Sequence, residues 1–185
     1  MKSMIRGAVV GLAVMLSAQA AQAQALSFGV GGGIVVPTGS LADGNGTGWS
    51  GTALLRVQPP ASPVGLQLDA FYTRFSLDGG IDGHSRLLGG TANAVFAFPS
   101  ASPIRPYLLA GPGVYSGKTT IDGLGSTDSQ TKLGLNAGAG FDFGMGKAQL
   151  FAEARFHAIL KGTVDATSGA EKTAYMIPLT VGLRF

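Results

Sequence analysis

The chain has 185 residues, only 12% of them charged, with a formal net charge of +3. Soluble globular domains average about 25% charged residues, so this composition argues against a surface bathed in water on all sides. The small basic excess is partly carried by Lys2 and Arg6 and forms no Lys/Arg cluster along the sequence, which excludes a nucleic-acid-binding reading; the lack of cysteine excludes disulfides and thiolate metal sites.

At the amino terminus, Lys2 and Arg6 precede an apolar run from Gly7 to Ala18, and the stretch Ala18 to Ala25 offers overlapping A-x-A sites. This is the pattern of a secretory signal peptide. The run falls short of the roughly twenty apolar residues that a spanning helix needs. The expected organisation is a signal peptide at 1–25, cleaved after Ala23 or Ala25, followed by one domain at 26–185. No second apolar run approaches spanning length. An integral membrane protein of this sequence would therefore be a closed barrel, the other structure that satisfies its own backbone in lipid.

Period-two alternation recurs in segments separated by Gly, Pro, Ser, Asp and Asn clusters, predicting eight strands at about 26–37, 48–58, 64–77, 84–98, 106–118, 130–143, 148–162 and 173–185. The first places Phe28, Val30, Ile34 and Val36 opposite Gly29, Gly31 and Gly33. In the third, Leu66, Leu68, Ala70 and Tyr72 oppose Gln67, Asp69, Phe71 and Thr73. The fourth and fifth are less clean. The sixth sets Leu133, Leu135, Ala137, Ala139, Phe141 and Phe143 against Gly134, Asn136, Gly138, Gly140 and Asp142. The seventh sets Leu150, Ala152, Ala154 and Phe156 against Gln149, Phe151, Glu153, Arg155 and His157. The last alternates Tyr175, Ile177, Leu179, Val181, Leu183 and Phe185 with smaller or polar residues.

Such strands have one apolar face, free of charge through the strand middles, and each is long enough to cross a bilayer at a tilt. Compact connections at Pro59–Pro63, Pro99–Arg105 and Gly144–Lys147 alternate with mostly longer ones at Thr38–Thr47, Asp78–Gly83, Thr119–Ser129 and Thr163–Lys172. That is the layout of short periplasmic turns and longer external loops. Aromatic residues at strand ends predict two girdles: Phe28, Phe98, Tyr107, Phe143 and Phe185 at one rim, Trp49, Tyr72, Tyr115 and Tyr175 at the other. A soluble lipocalin-like barrel would expose the Gly/Asn/Thr faces instead, which are too poor in Lys and Glu for water.

The runs Phe28–Gly33, Arg105–Gly111, Gly134–Gly140 and Leu150–Phe156 resemble those of the small eight-stranded outer-membrane barrel family, typified by the membrane domain of outer membrane protein A and by outer membrane protein X. The terminal strand, with Tyr175, Leu183 and a final Phe185, resembles the carboxy-terminal assembly signal of that group. The resemblance implies an all-β, eight-stranded antiparallel up-and-down transmembrane β-barrel in the bacterial outer membrane. It further implies outer-membrane lipids, the barrel assembly machinery and periplasmic chaperones as partners, and a monomer.

Signals for chemistry are weak. Gly46–Gly51 matches G-x-G-x-x-G, but a strand rather than a helix follows, so no helix dipole can meet a pyrophosphate. Gly117-Lys118-Thr119 lacks the required upstream glycine, since position 112 is Pro112. A lipid A deacylase or acyltransferase needs Ser and His within reach. His84 and Ser85 are adjacent and point to opposite faces, and His157 has Glu153 on its face but no nearby Ser in its strand. Asp78, Asp82, Asp122 and Asp128 read as polar loop residues in preference to calcium ligands. Arg56, Asp69, Asp142, Glu153 and Arg155 share the inward parity and are expected to fill the lumen as a polar network, with Glu153 and Arg155 meeting Asp69 and Arg56. The expected function is non-enzymatic, structural or surface-interacting, without a cofactor; the alternatives are a lipid A-modifying barrel enzyme and a narrow ion-conducting pore.

Overall fold

The computed structural model describes residues 26–42, 44–59, 62–77, 83–121, 125–126, 130–160 and 173–185. The expected signal peptide, residues 1–25, and the loop acids Asp78, Asp82, Asp122 and Asp128 lie outside them. The strands are β1 (Leu26–Gly39), β2 (Asn45–Val57), β3 (Val64–Leu77), β4 (Gly83–Ala97), β5 (Ile104–Ile121), β6 (Gly125–Ser126), β7 (Gln130–Met145), β8 (Ala148–Ile159) and β9 (Ala174–Arg184). β6 is a two-residue spur paired only with β5. The other eight form an antiparallel ring in chain order, closed between β1 and β9, with Phe28 and Phe185 exchanging backbone hydrogen bonds of 2.9 and 2.8 Å at the seam. Closure leaves no open edge, so the ladder groups are satisfied within the wall.

Parity decides what each side chain meets. Phe28, Val30 and Ile34 in β1, Leu66 and Leu68 in β3, Leu133 and Leu135 in β7, and Leu179, Val181 and Leu183 in β9 project outward and are exposed. Expected strand bounds agree with the observed ones within a few residues. β1 and β2 run further toward the loops than expected, so their connection shrinks to residues 40–44, no longer than the turns at 58–63 and 98–103. Backbone pairing continues past the lipid band because Pro37, Thr38 and Gly39 still find partners on β9. At the opposite rim β7 and β8 are joined by Gly146-Lys147 alone, with Gly146 at φ 72°. A two-residue hairpin loop needs that left-handed conformation.

Two expected girdle residues are placed elsewhere. Tyr107 and Tyr115 are each 1% exposed and point into the lumen. The odd positions of β5 face inward, and the rings fill space left by glycines across the barrel: a Cβ at Gly140 would lie 2.4 Å from the Tyr107 ring. The remaining girdle residues do face outward. Phe28 and Phe185 meet at one rim, 6.1 Å between centroids, and Trp49 and Tyr72 at the other, 5.6 Å apart.

The same pairing of large with absent side chains operates near the loop rim, where a Cβ on Gly89 would sit 2.2 Å from Cζ of the buried Phe71 ring. Gly89→Ala should lower the unfolding free energy by about 1–3 kcal/mol through overpacking. In a Phe71→Leu background the same change should cost markedly less, a coupling readable by denaturant unfolding of the refolded barrel.

Candidate functional site

Eight strands enclose an interior just wide enough for side chains, and here it is filled in three tiers. Toward the loops, Val35, Phe71, Phe75, Leu87, Tyr115, Ile159 and Met176 form an apolar cluster. His157 lies against it, its Nδ1 2.9 Å from the Tyr115 hydroxyl and its ring edge-on to Phe71. The middle and lower tiers hold three arginines and three carboxylates, all at least nine-tenths buried.

In the middle tier the guanidinium of Arg155 from β8 grips Asp69 of β3 in a fork, Nη2 to Oδ1 at 2.8 Å and Nη1 to Oδ2 at 2.9 Å. Its Nε also donates to Glu153. Asp69 accepts further bonds from Thr91 (3.0 Å), Asn93 (2.8 Å) and Gln67 (2.8 Å), and Glu153 accepts one from the Tyr107 hydroxyl at 2.9 Å. In the lower tier Asp142 of β7 lies between two cations, Arg56 at 3.1 Å and Arg184 at 2.6 Å. Gln67 joins the tiers by accepting from Arg56 Nε at 2.7 Å while donating to Asp69. Tyr107 joins them a second time, since the Arg56 guanidinium stacks 4.2 Å from its ring centroid. Charge-assisted, multiply bonded geometry of this kind is what makes buried ions tolerable.

All five residues expected in the lumen, Arg56, Asp69, Asp142, Glu153 and Arg155, lie there: Arg155 meets Asp69 and Glu153, while Arg56 stands apart from Glu153 and pairs with Asp142, nearer the terminal rim. The alternation pattern put Gln67 and Asn136 (which donates to Asn93 at 2.8 Å) on the inward parity without marking them as network members, and Arg184, Tyr107, Thr91 and Asn93 were missed. Arg184 was visible on the polar parity of the last strand with Thr180 and Gly182. The β4 and β5 residues were hidden by an irregular alternation broken by Gly and Pro. Tyr175, Leu183 and Phe185, expected in the assembly signal, all face outward; Phe185 is 56% exposed, and Tyr175 stacks on Phe156 at 5.2 Å.

Below the network a vestibule of about 930 Å³, bordered by Arg56, Asp142, Arg184, Arg105 and Lys147, opens at the rim that carries Leu26 and Phe185. Near His157 lies a cavity of about 20 Å³. Among the described residues the arrangement packs paired charges above the vestibule.

A closed ring of lipid-facing alternation, two aromatic girdles and a neutralised, filled lumen define a small transmembrane β-barrel. The chain belongs to the outer membrane protein beta-barrel domain family, which it matches over residues 8–185. Its place is the bacterial outer membrane. Among solved structures it is similar to Neisserial surface protein A (22% identity, TM-score 0.64, covering 86% of this chain and 95% of that one). It is also similar to a major outer membrane protein from Thermus thermophilus (13% identity, TM-score 0.53, 87% and 98%) and to the N-terminal β-barrel domain of Pseudomonas aeruginosa OprF (20% identity, TM-score 0.50, 88% and 98%). At these identities the likeness is one of fold. No curated protein matches the chain.

Removing the charge of Asp142 leaves Arg56 and Arg184 facing each other without a counter-ion. Asp142→Asn should lower stability by about 3–5 kcal/mol. Lys147→Ala, in the exposed turn, should stay within about 0.5 kcal/mol of the parent. Urea unfolding of the barrel in lipid vesicles, followed by gel mobility without boiling, compares the two directly.

Proposed function

We propose that the protein acts in the outer membrane as a non-enzymatic monomeric barrel with a structural or surface-contact role. The observation that carries this reading is the filled lumen: an apolar cluster closes the loop side, and a mutually neutralising ionic network blocks the middle. The pore alternative would need a continuous aqueous path through these tiers. The lipid-modifying alternative would need a nucleophile, a base and room for an acyl chain. His157 is engaged by Tyr115, Ser50 donates its hydroxyl to the Tyr72 carbonyl at 3.1 Å, and the 20 Å³ beside them holds about one water. His84 stands on the outer face while Ser85 bonds Thr119 on the inner one. The reconstituted barrel should show no discrete conductance steps in planar bilayers. Lipid A incubated with it should keep its mass. Conductance steps would install the pore reading instead, and a deacylated or acylated product lost in His157→Ala would install the enzyme.

We further propose that outer-membrane lipids surround the barrel, that periplasmic chaperones deliver it, and that the barrel assembly machinery reads the outward row ending in Tyr175, Leu183 and Phe185. Support comes from the position of the Phe185 ring, exposed at the seam strand while its backbone closes the ring with Phe28. Phe185→Ala keeps that backbone pair. It should lower the outer-membrane level of the protein in cells several-fold while leaving refolding into detergent intact; unchanged cellular levels would remove the signal from this position.

A further inference from the structure

Every side-chain carboxylate among the described residues, Asp69, Asp142 and Glu153, faces the lumen. On the described outer face the charged side chains are cations alone, and they are placed together. Arg74 of β3 is the register partner of Arg86 of β4, and Arg86 is the register partner of Lys118 of β5. The three share the outward parity, because Thr73 and Phe75 beside Arg74, Leu87 beside Arg86, and Tyr115, an odd number of positions before Lys118, point inward. None forms an ion pair with a described residue. Like charges directly opposite on paired strands destabilise a sheet, so a row of three on neighbouring strands is costly unless an anion covers it.

The height of the row identifies that anion. Arg74 is also the register partner of Trp49, whose ring packs on Tyr72 in the loop-side girdle. Trp and Tyr mark the boundary between acyl chains and headgroups. One step toward the membrane centre lies Tyr72–Leu88–Ser116, and one step outward lies the polar row Ser76–His84–Thr120. The cations therefore stand at headgroup level in the outer leaflet. At the terminal rim the equivalent outer positions, among them Val57, Val64, Phe96, Ile104 and Phe143, carry no charge. A generic attraction to headgroups would favour cations at both rims. Adjacent strands are about 4.8 Å apart, so the row spans about 10 Å, wide enough to engage more than one phosphate of a single headgroup.

We propose that Arg74, Arg86 and Lys118 form a binding site for the phosphate groups of a phosphorylated glycolipid in the outer leaflet, docked against the β3–β5 face beside Trp49. The site rests on the outer-membrane placement and is independent of whether the barrel's role is structural or surface-interacting. Trp49 is the only tryptophan of the chain and a built-in reporter.

The test titrates the barrel, refolded in neutral-detergent micelles, with bisphosphorylated lipid A, its phosphate-free form, phosphatidylglycerol and inorganic phosphate, reading Trp49 emission and the thermal midpoint. Bisphosphorylated lipid A should give a saturable emission shift and a higher midpoint; the other three should give neither at the same concentration. A surface cation contributes about fivefold in affinity for an anionic headgroup, so replacing all three residues with Gln should weaken binding on the order of 100-fold. Should the triple variant fail to refold, Arg86→Gln alone should lose about fivefold while Arg86→Lys stays near the parent. Equal binding of the phosphate-free glycolipid, of phosphatidylglycerol or of inorganic phosphate overturns the proposal, as does unchanged affinity in the Gln variants.

Discussion

Satisfaction of the backbone without water is the constraint on which this molecule depends. In hydrocarbon an unpaired N–H or C=O costs several kcal/mol, and strands meet that demand only when the sheet has no edge. The pairing of β1 with β9 supplies the closure, and Phe28 with Phe185 completes it at the rim. Once the ring is closed, side-chain direction follows from pleating alone. Odd and even positions are assigned to lipid or lumen, and a one-residue slip would drive charges into the acyl chains.

A ring of eight strands then imposes a second condition, a narrow interior that must be filled to native density. Two devices fill it. Aromatic rings reach across to positions where a glycine leaves room, as Phe71 does to Gly89 and Tyr107 to Gly140. Ions are arranged so that their charges cancel. The lower tier, two arginines around Asp142, has one excess positive charge; the middle tier, Arg155 between Asp69 and Glu153, has one excess negative charge. Gln67 and Tyr107 touch both, so the network is neutral only when taken whole. Its members act as one unit, and the cost of losing one is borne by all.

The two ends of the lumen differ for the same reason. Toward the loops Val35, Phe75, Leu87 and Met176 point inward and pack in an apolar cluster. Toward the chain termini the inward positions include Ser27, Gln58, Arg105 and Gln149, which line a polar, open vestibule. The described lumen thus has a packed side and an open basin, and the described lipid-facing wall carries its cations only at the rim opposite the basin.

Much of this was legible in the sequence, because period-two alternation is a local property. It set the all-β class, the number of barrel strands, their limits within a few residues, and the inward placement of Arg56, Asp69, Asp142, Glu153 and Arg155. It failed where alternation is interrupted: the Gly and Pro positions of β5 concealed that Tyr107 and Tyr115 point inward. Pairing was also beyond its reach. Arg56 and Asp142 are 86 positions apart, and which guanidinium meets which carboxylate depends on strand stagger around a closed ring. The row Arg74–Arg86–Lys118 was invisible for the same reason, since three cations scattered along the chain become neighbours only through register across β3, β4 and β5. Local alternation determined which face each residue occupies; only closure and register, which are long-range, decided which residues share a height and so interact.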